Sequence, residues 1–236
     1  MTLPTRVRLL GGMVRRATGP IATMDESRRA RLRDPQAPRL ISDLLNFSSI
    51  SAGSLFEVTD MNAIVADVLQ DLEMLTAEKK AVIETGTLPL IDVMPGLIRQ
   101  VFQNIISNAL KFTRSDAAPF IEITCTRVDA CSPDAINKSD GAFCAISIKD
   151  NGIGFDEQYA DKIFLIFEYL HSRDKYEGTG IGLAIAKKII EKHNGLIYAK
   201  GAEGAGATFT MILPLRQHQT DKQSVAAEHL LLQQSN

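Results

Sequence analysis

Several residue types are scarce or missing in this sequence, and these absences exclude several classes of protein. There is no tryptophan, and the only cysteines are Cys125, Cys131 and Cys144. The cysteines lack the spacing of a metal site and an odd number cannot all pair, so we expect reduced thiols in a cytoplasmic setting. No apolar run approaches the roughly 18 residues that a membrane-spanning helix needs. We therefore expect no membrane span in this chain.

A basic surplus is also missing. Lys and Arg together number 26 against 28 Asp and Glu, which gives a formal net charge of -2. Nucleic-acid-binding domains usually carry an excess of basic residues, so the composition predicts no nucleic-acid partner. Apolar residues, by contrast, make up 45% of the 236 residues and are sufficient to bury a core.

The composition divides the chain into four segments. Residues 1–38 are rich in arginine and proline without a sustained apolar period, and we expect a poorly ordered leader there. Residues 39–54 begin with apolar residues at helical spacing. The main domain is predicted over residues 55–215, and the glutamine-rich residues 216–236 are predicted to form a flexible tail.

Apolar periodicity predicts the elements of the main domain. Patterns of helical period predict helices at residues 60–80, 95–112, 156–167 and 180–193, the last of which stops at Asn194-Gly195. Short apolar or alternating segments predict strands at residues 55–58, 81–84, 88–93, 120–127, 142–149, 196–200 and 207–213. The polar residues 129–141 are predicted to form a hairpin loop.

The first motif is a polar stripe on the predicted helix at residues 97–112. Gln100, Asn104, Asn108 and Lys111 share one helix face. Such a face is ordinarily solvated, which is one interpretation. However, asparagine is a weak helix former, its amide oxygen can ligate a hard cation, and lysine can meet a phosphate as a point charge. The second interpretation is therefore part of a metal and phosphate site.

The second motif is the sequence DNGIGF at residues 150–155, directly after a predicted strand. Asp, Asn and Gly favour turns, so a tight turn is one interpretation. In the other interpretation, Gly152 and Gly154 let a flat ligand approach the backbone, and Asp150 accepts a hydrogen bond from an adenine amino group.

The third motif is the sequence GTGIGL at residues 178–183, which opens a predicted helix. Glycine-rich backbone at a helix start offers free N–H groups and positive dipole character to an anion. The motif differs from a P-loop because no Gly-Lys-Ser/Thr follows, and it differs from the Rossmann fingerprint in spacing and in lacking a preceding strand. By itself it predicts only a helix start that suits an anion.

Together and in this order, the three motifs resemble the asparagine box and two glycine boxes of histidine-kinase catalytic domains, in the superfamily shared with gyrase, Hsp90 and MutL. The sequence FLIF at residues 164–167 resembles the phenylalanine box, and GAGATF at residues 204–209 resembles the final glycine box. Residues 163–195 look like a phytochrome-type or related bacterial sensor kinase. Residues 39–54 resemble the end of the second helix of a dimerisation hairpin.

The resemblance implies a fold and a set of ligands. The expected fold is an α/β (α+β) two-layer sandwich, in which three helices cover one face of a mixed, largely antiparallel sheet beside a mobile ATP lid. ATP and Mg²⁺ are the expected cofactors. The implied binding residues are Asn104, Asn108, Lys111, Asp150, Gly152, Gly154, Arg173, Lys175, Gly178, Thr179, Gly180, Gly182, Leu183 and Thr208.

Each implied residue has an expected role. Asn108 would bind the magnesium ion with help from Asn104, and Asn104 and Lys111 would assist in positioning the phosphates. Asp150 would bind the adenine amino group, and Thr208 would lie near the adenine pocket. No residue is assigned as a catalytic acid or base.

The lid is expected at about residues 165–179. Gly178, Gly180 and Gly182 would close over the phosphates as part of it. Arg173 and Lys175 lie within the lid, where they either reach the terminal phosphate or are ordinary solvated charges.

Asn104 bears on the reaction. ATP-hydrolysing relatives such as gyrase and Hsp90 have a glutamate at this position, which activates water. An amide cannot take up a proton at neutral pH. The resemblance therefore implies a domain that transfers phosphate to a protein nucleophile instead of water.

None of the four histidines resembles the acceptor of the family, which lies on an earlier helix and is usually followed by Asp or Glu. His171, His193, His218 and His229 are each expected to be structural or on the surface. We therefore expect a two-component histidine kinase domain that acts on a histidine outside this chain. The expected partners are a histidine-containing dimerisation hairpin in trans and a response regulator, with a homodimer as a further option.

Two other functions remain open at this point. One is a nucleotide-gated binding module without kinase activity. The other is an anti-sigma-type serine kinase, although such kinases generally have a glutamate at the position of Asn104.

Overall fold

The computed structural model of the chain describes residues 55–128, 142–167 and 179–217. Five predicted segments lie wholly or mostly outside the described residues. They are the leader, the end of a dimerisation helix, the hairpin loop at residues 129–141, the lid and the flexible tail. The predictions for those segments, and the predicted segment boundaries, stay predictions.

The described residues form four helices and seven strands. The helices are α1 (Met61–Asp71), α2 (Glu73–Lys79), α3 (Pro95–Lys111) and α4 (Gly182–Lys192). The strands are β1 (Glu57–Asp60), β2 (Val82–Thr85), β3 (Leu90–Val93), β4 (Phe120–Val128), β5 (Phe143–Asp150), β6 (Leu196–Ala202) and β7 (Gly206–Pro214). Two short 3₁₀ turns, Glu157–Tyr159 and Lys162–Phe164, lie between β5 and α4.

Five of the strands form a mixed sheet in the order β2-β4-β5-β7-β6. Only β2 and β4 pair in parallel, and the other neighbours are antiparallel. β1 and β3 form a separate antiparallel ribbon. The predicted mixed, largely antiparallel sheet is confirmed.

One face of the sheet carries the core, and we call it the inner face. Alternate side chains of the central strands are buried there, such as Ile148 on β5 and Met211 on β7. They join buried apolar residues of α1, α3 and α4 in a single cluster. The prediction of three helices on one face is therefore confirmed, while α2 has no buried residue.

The N-terminal ends of α1 and α3 follow the expected chemistry. The Asp60 side chain caps α1 by accepting a hydrogen bond from the Asn62 N–H at 2.8 Å. Pro95 occupies the first turn of α3, where its missing N–H costs nothing. α1 and α2 were expected as one helix, but the backbone departs from helical geometry at Leu72 and the helix is interrupted there.

The helix predicted at residues 156–167 is wrong. Ile163 and Phe164 are buried, which accounts for the apolar pattern, but the segment forms only the two 3₁₀ turns. The backbone becomes extended at Leu165. Two residues later the N–H of Phe167 donates to the carbonyl of Gly180 at 2.9 Å. This long-range bond replaces a helical one.

The end of α4 is where the sequence predicted it. Asn194 adopts a left-handed conformation with φ of 54°. Its N–H donates to Glu191 at 3.0 Å, and the N–H of Gly195 donates to Ile190 at 2.9 Å. This pair of bonds forms a Schellman motif, in which asparagine takes the position that glycine usually occupies.

None of the described helices is long and apolar enough to cross a membrane.

Candidate functional site

The most constrained polar group of the site is the carboxylate of Asp150, at the end of β5. The residue is 8% exposed. Its Oδ1 accepts hydrogen bonds from the N–H of Gly152 at 2.8 Å and the N–H of Ala207 at 3.2 Å. Burial raises the pKa of this carboxyl, and the two N–H donors oppose that effect. Within the described residues no group donates to Oδ2, so the oriented carboxylate retains an acceptor.

Two glycines after Asp150 allow the backbone to pack closely. A Cβ on Gly152 would lie 2.3 Å from the carbonyl oxygen of Phe112. Gly154 has φ of 64°, and a Cβ there would lie 2.0 Å from the carbonyl oxygen of Ala202. No other residue type fits either position without movement of the backbone. The loop is therefore a packed surface between α3 and the β6–β7 turn.

The polar stripe of α3 lies beside this loop. The Asn104 side-chain Nδ2 donates to the carbonyl of Gly182 at 2.9 Å, which connects α3 to the first residue of α4. Within the described residues no group forms a hydrogen bond with the Asn108 side chain. The Lys111 ammonium lies 4.4 Å from the centre of the Phe112 ring.

The third motif forms the start of α4. Gly180 has φ of 70° and lies just before the helix, which begins at Gly182. The first turn of α4 has no side-chain cap, so its N–H groups are not satisfied in the usual way. Thr179 and Leu183 flank this start and are both half-buried.

The three motifs meet around the C-terminal half of α3. The N–H of Ile153 donates to the carbonyl of Phe112 at 2.9 Å, which joins the second motif to the end of α3. The Asn104–Gly182 bond joins the third motif to the same helix. The site thus combines four features. The fixed carboxylate suits an adenine amino group, the amide oxygens suit a metal ion, and the lysine and the uncapped helix start suit phosphates.

Comparison with known proteins identifies the family. Residues 94–217, slightly more than half of the chain, match the family of histidine kinase-, DNA gyrase B- and HSP90-like ATPases. The chain belongs to this family.

The relatives of this domain include phytochromes and sensor protein kinases. Cyanobacterial phytochrome A of Nostoc sp. is 38% identical over 186 residues, which cover 78% of this chain and 23% of the relative. The sensor protein kinase WalK of Staphylococcus saprophyticus is 33% identical over 184 residues, which cover 75% of this chain and 28% of the relative. The chain thus spans about a quarter of the length of the curated relatives it matches.

The fold is also found among solved structures. A crystal structure of full-length ShkA in complex with AMPPNP matches with a TM-score of 0.60 and 24% identity, covering 82% of this chain and 38% of that chain. The predicted resemblance to histidine-kinase catalytic domains, including phytochrome-type kinases, is confirmed.

The register of β7 determines on which face of the sheet Thr208 lies. Side chains alternate along β7, and Thr208 pairs with Lys149 and Lys200 on the face away from the helices. Asp150 lies on the inner face, where its Oδ1 meets the N–H of Ala207. The Thr208 side chain therefore lies on the opposite face from the Asp150 carboxylate, because one position along a strand reverses the face. Its assignment to the adenine pocket stays a prediction.

Three other predicted residues of the ATPase site lie outside the described residues: Arg173, Lys175 and Gly178. Their assignment to the lid stays a prediction. Among the described residues no group of three His, Cys, Asp or Glu side chains is placed to hold a metal ion.

His193 is a structural residue of the ATPase domain, as expected. It is fully buried, with Nδ1 at 2.7 Å from the carbonyl oxygen of Ile189 and Nε2 accepting from the Met94 N–H at 2.9 Å. Burial lowers its pKa. His193 therefore joins the end of α4 to the residue before α3, and sequence analysis missed this role because the partner lies 99 positions away.

Proposed function

We propose that this domain binds ATP with Mg²⁺ and transfers the terminal phosphate to a histidine outside this chain, as the catalytic domain of a two-component sensor kinase. The observation that carries the proposal is the orientation of the Asp150 carboxylate. Two backbone N–H groups hold its Oδ1, and among the residues that the structure describes no group donates to its Oδ2.

Adenine is the base that fits this carboxylate. Its exocyclic amino group can donate to Oδ2, whereas guanine presents a carbonyl oxygen at the same position and would be repelled. A hydrogen bond to a charged group contributes about 1.5–3 kcal/mol. The glycines after Asp150 let the loop pack against the end of α3 and the β6–β7 turn, which holds the carboxylate in place.

The residues on α3 fit magnesium and phosphate. Asn104 uses Nδ2 to hold Gly182, which leaves its Oδ1 as an oxygen ligand, and the Asn108 amide is one helical turn further along. Magnesium prefers oxygen ligands, and it often takes some of them from the protein and others from nucleotide phosphates, whose charge it neutralises. Lys111 at the end of α3 supplies a positive charge on the same stripe.

The same residues favour transfer over hydrolysis. An amide cannot act as a general base, and Asn104 is held in the helix packing through its nitrogen. Water therefore lacks an activating group at this position. WalK is named a sensor protein kinase and the ShkA structure contains AMPPNP, which supports the same activity for this chain. The partners we propose are a histidine-containing dimerisation hairpin and, downstream, a response regulator.

A transfer assay tests this function. The chain is incubated with γ-labelled ATP and hairpins that carry a His-Asp or His-Glu pair. We expect acid-labile, alkali-stable label on the hairpin, and much less label at subsaturating ATP when Asp150→Asn replaces the parent chain. If ATP binds normally but no hairpin is labelled, the result supports the nucleotide-gated binding module instead.

A further inference from the structure

An exposed ion pair lies at the edge of the loop that carries Asp150. The guanidinium of Arg114 donates through Nε and Nη2 to the two carboxylate oxygens of Asp116. Its remaining terminal nitrogen, Nη1, donates to the carbonyl oxygen of Gly204 at 2.7 Å. Because the bidentate contact with Asp116 fixes the plane of the guanidinium, Nη1 is held in place toward the β6–β7 turn.

The contact with Gly204 closes a ring of hydrogen bonds. The N–H of Gly204 donates to the carbonyl of Ile153 at 2.7 Å, and the N–H of Ile153 donates to the carbonyl of Phe112 at 2.9 Å. Phe112 is two residues before Arg114 in the chain. The ring therefore joins the end of α3, the loop after Asp150 and the β6–β7 turn.

The β6–β7 turn in turn holds the Asp150 carboxylate. Ala207, just after the turn, supplies one of the two N–H donors to Oδ1. Gly206 packs so closely that a Cβ there would lie 2.0 Å from the carbonyl oxygen of Asp150. A shift of the turn would therefore move both the backbone contact and the donor that orient the carboxylate.

We propose that Arg114, oriented by Asp116, is a positioning residue for recognition of the adenine amino group. It acts through the β6–β7 turn, which it holds against the loop that carries Asp150. The inference deepens the proposed function, because it rests on the contact between Asp150 and adenine. Without such a role, a solvent-exposed ion pair would be expected to contribute little to stability.

The test compares two nucleotides that differ only at the amino group. ATP and purine riboside triphosphate, which has hydrogen in place of the 6-amino group, are titrated calorimetrically into the full chain. The ratio of their Kd values measures what the amino group contributes. We expect the parent to prefer ATP by roughly 10- to 150-fold, and Asp150→Asn to lose this preference.

Arg114→Ala is expected to reduce the preference by about 2- to 12-fold, the effect of losing one ordinary hydrogen bond. Its affinity for purine riboside triphosphate should stay close to that of the parent, since that ligand makes no use of the carboxylate. Arg114→Lys retains one donor for Gly204 and is expected to keep part of the preference. Arg99→Ala is the matched control, because Arg99 also forms an exposed ion pair, with Asp71, but lies near the start of α3 and makes no contact with the turn among the described residues.

The outcomes separate the inference from the proposed function. If the parent prefers ATP and Arg114→Ala keeps that preference in full, Arg114 does not position the site. If Arg114→Ala weakens the binding of both nucleotides equally, Arg114 has a general role in folding and the inference is overturned. The same holds if Arg99→Ala reduces the preference for ATP as much as Arg114→Ala does. A parent without any preference would overturn the adenine assignment of Asp150, and the role of Arg114 with it.

Discussion

At the scale of single residues, the binding role proposed for Asp150 comes at the expense of stability. Burial raises its pKa above the ordinary 3.8, so the folded chain holds a proton more tightly than the unfolded chain. Its contribution to stability is present below pH 3.8 and is lost as the pH rises through the folded pKa. At neutral pH the ionised group is buried at a cost, and the two N–H donors offset only part of it.

Asp150→Asn should separate these two effects. The amide oxygen can accept from Gly152 and Ala207, while the amide nitrogen would face the adenine amino group with a second donor. We expect ATP affinity to fall at least roughly 10-fold, and the free energy of unfolding at pH 7 to be equal to or above that of the parent. Calorimetric titration and urea unfolding measure the two quantities. Unchanged ATP affinity would exclude Asp150 from the adenine site.

Gly154 and Gly204 provide a matched pair of glycines with positive φ. A Cβ on Gly154 would overlap the carbonyl of Ala202, whereas a Cβ on Gly204 meets nothing within 4 Å. Gly204→Ala should lower the free energy of unfolding by only about 1–2 kcal/mol, because alanine disfavours the left-handed backbone. Gly154→Ala should cost about 1–3 kcal/mol more because of the overlap. If urea unfolding shows that both variants lose the same free energy of unfolding, the loop at Gly154 moves away from the Ala202 carbonyl at no cost.

At the scale of elements, two hydrogen bonds connect α3 and α4, one at each end of α4. Asn104 binds the first residue of α4, and His193 at the other end receives the N–H of Met94. Since the start of α4 lies beside the later part of α3, the two helices run antiparallel. This pair carries the polar stripe and the uncapped helix start that the proposed phosphate site needs.

The His193 connection predicts a pH dependence of stability. Burial lowers the folded pKa below the ordinary 6.5, and the neighbouring Lys192 lowers it further. The unfolded chain then binds more protons, so the contribution of His193 is fully present above pH 6.5 and is lost as the pH falls toward the folded pKa. We expect the free energy of unfolding to decline from pH 7 to pH 5 in urea titrations.

His193→Gln is the control for this decline. Glutamine can still accept the N–H of Met94 but does not titrate. The variant should therefore be less stable than the parent at pH 7 and show a shallower decline below pH 6.5. A decline as steep as that of the parent would assign the pH dependence to other groups.

At the scale of the whole molecule, nucleotide binding and phosphate acceptance are predicted to be separate. Among the described residues the only histidine is His193, which is buried and bonded through both ring nitrogens. The purified chain should bind ATP without forming acid-labile, alkali-stable phosphate on itself, and its hydrolysis should be slow because Asn104 cannot act as a base. Labelling at His171 or another histidine of this chain would contradict the prediction.

The sequence alone determined the parts of this protein that depend on near neighbours. The polar stripe from Asn104 to Lys111, the turn after Asp150 and the stop at Asn194 follow from helical period and local turn chemistry. The order of the glycine motifs was sufficient to recognise the family. These features could be predicted because each is encoded within a few consecutive residues.

The tertiary structure decided what depends on residues far apart in the chain. The segment predicted as a helix at residues 156–167 forms two 3₁₀ turns instead, and the N–H of Phe167 bonds to the carbonyl of Gly180. Whether Thr208 or Ala207 meets Asp150 depends on the register of β5 and β7, since a shift of one residue reverses the face. The contact of Arg114 with Gly204 spans 90 positions. Such contacts form only once packing brings the segments together, so local sequence patterns carry no signal for them.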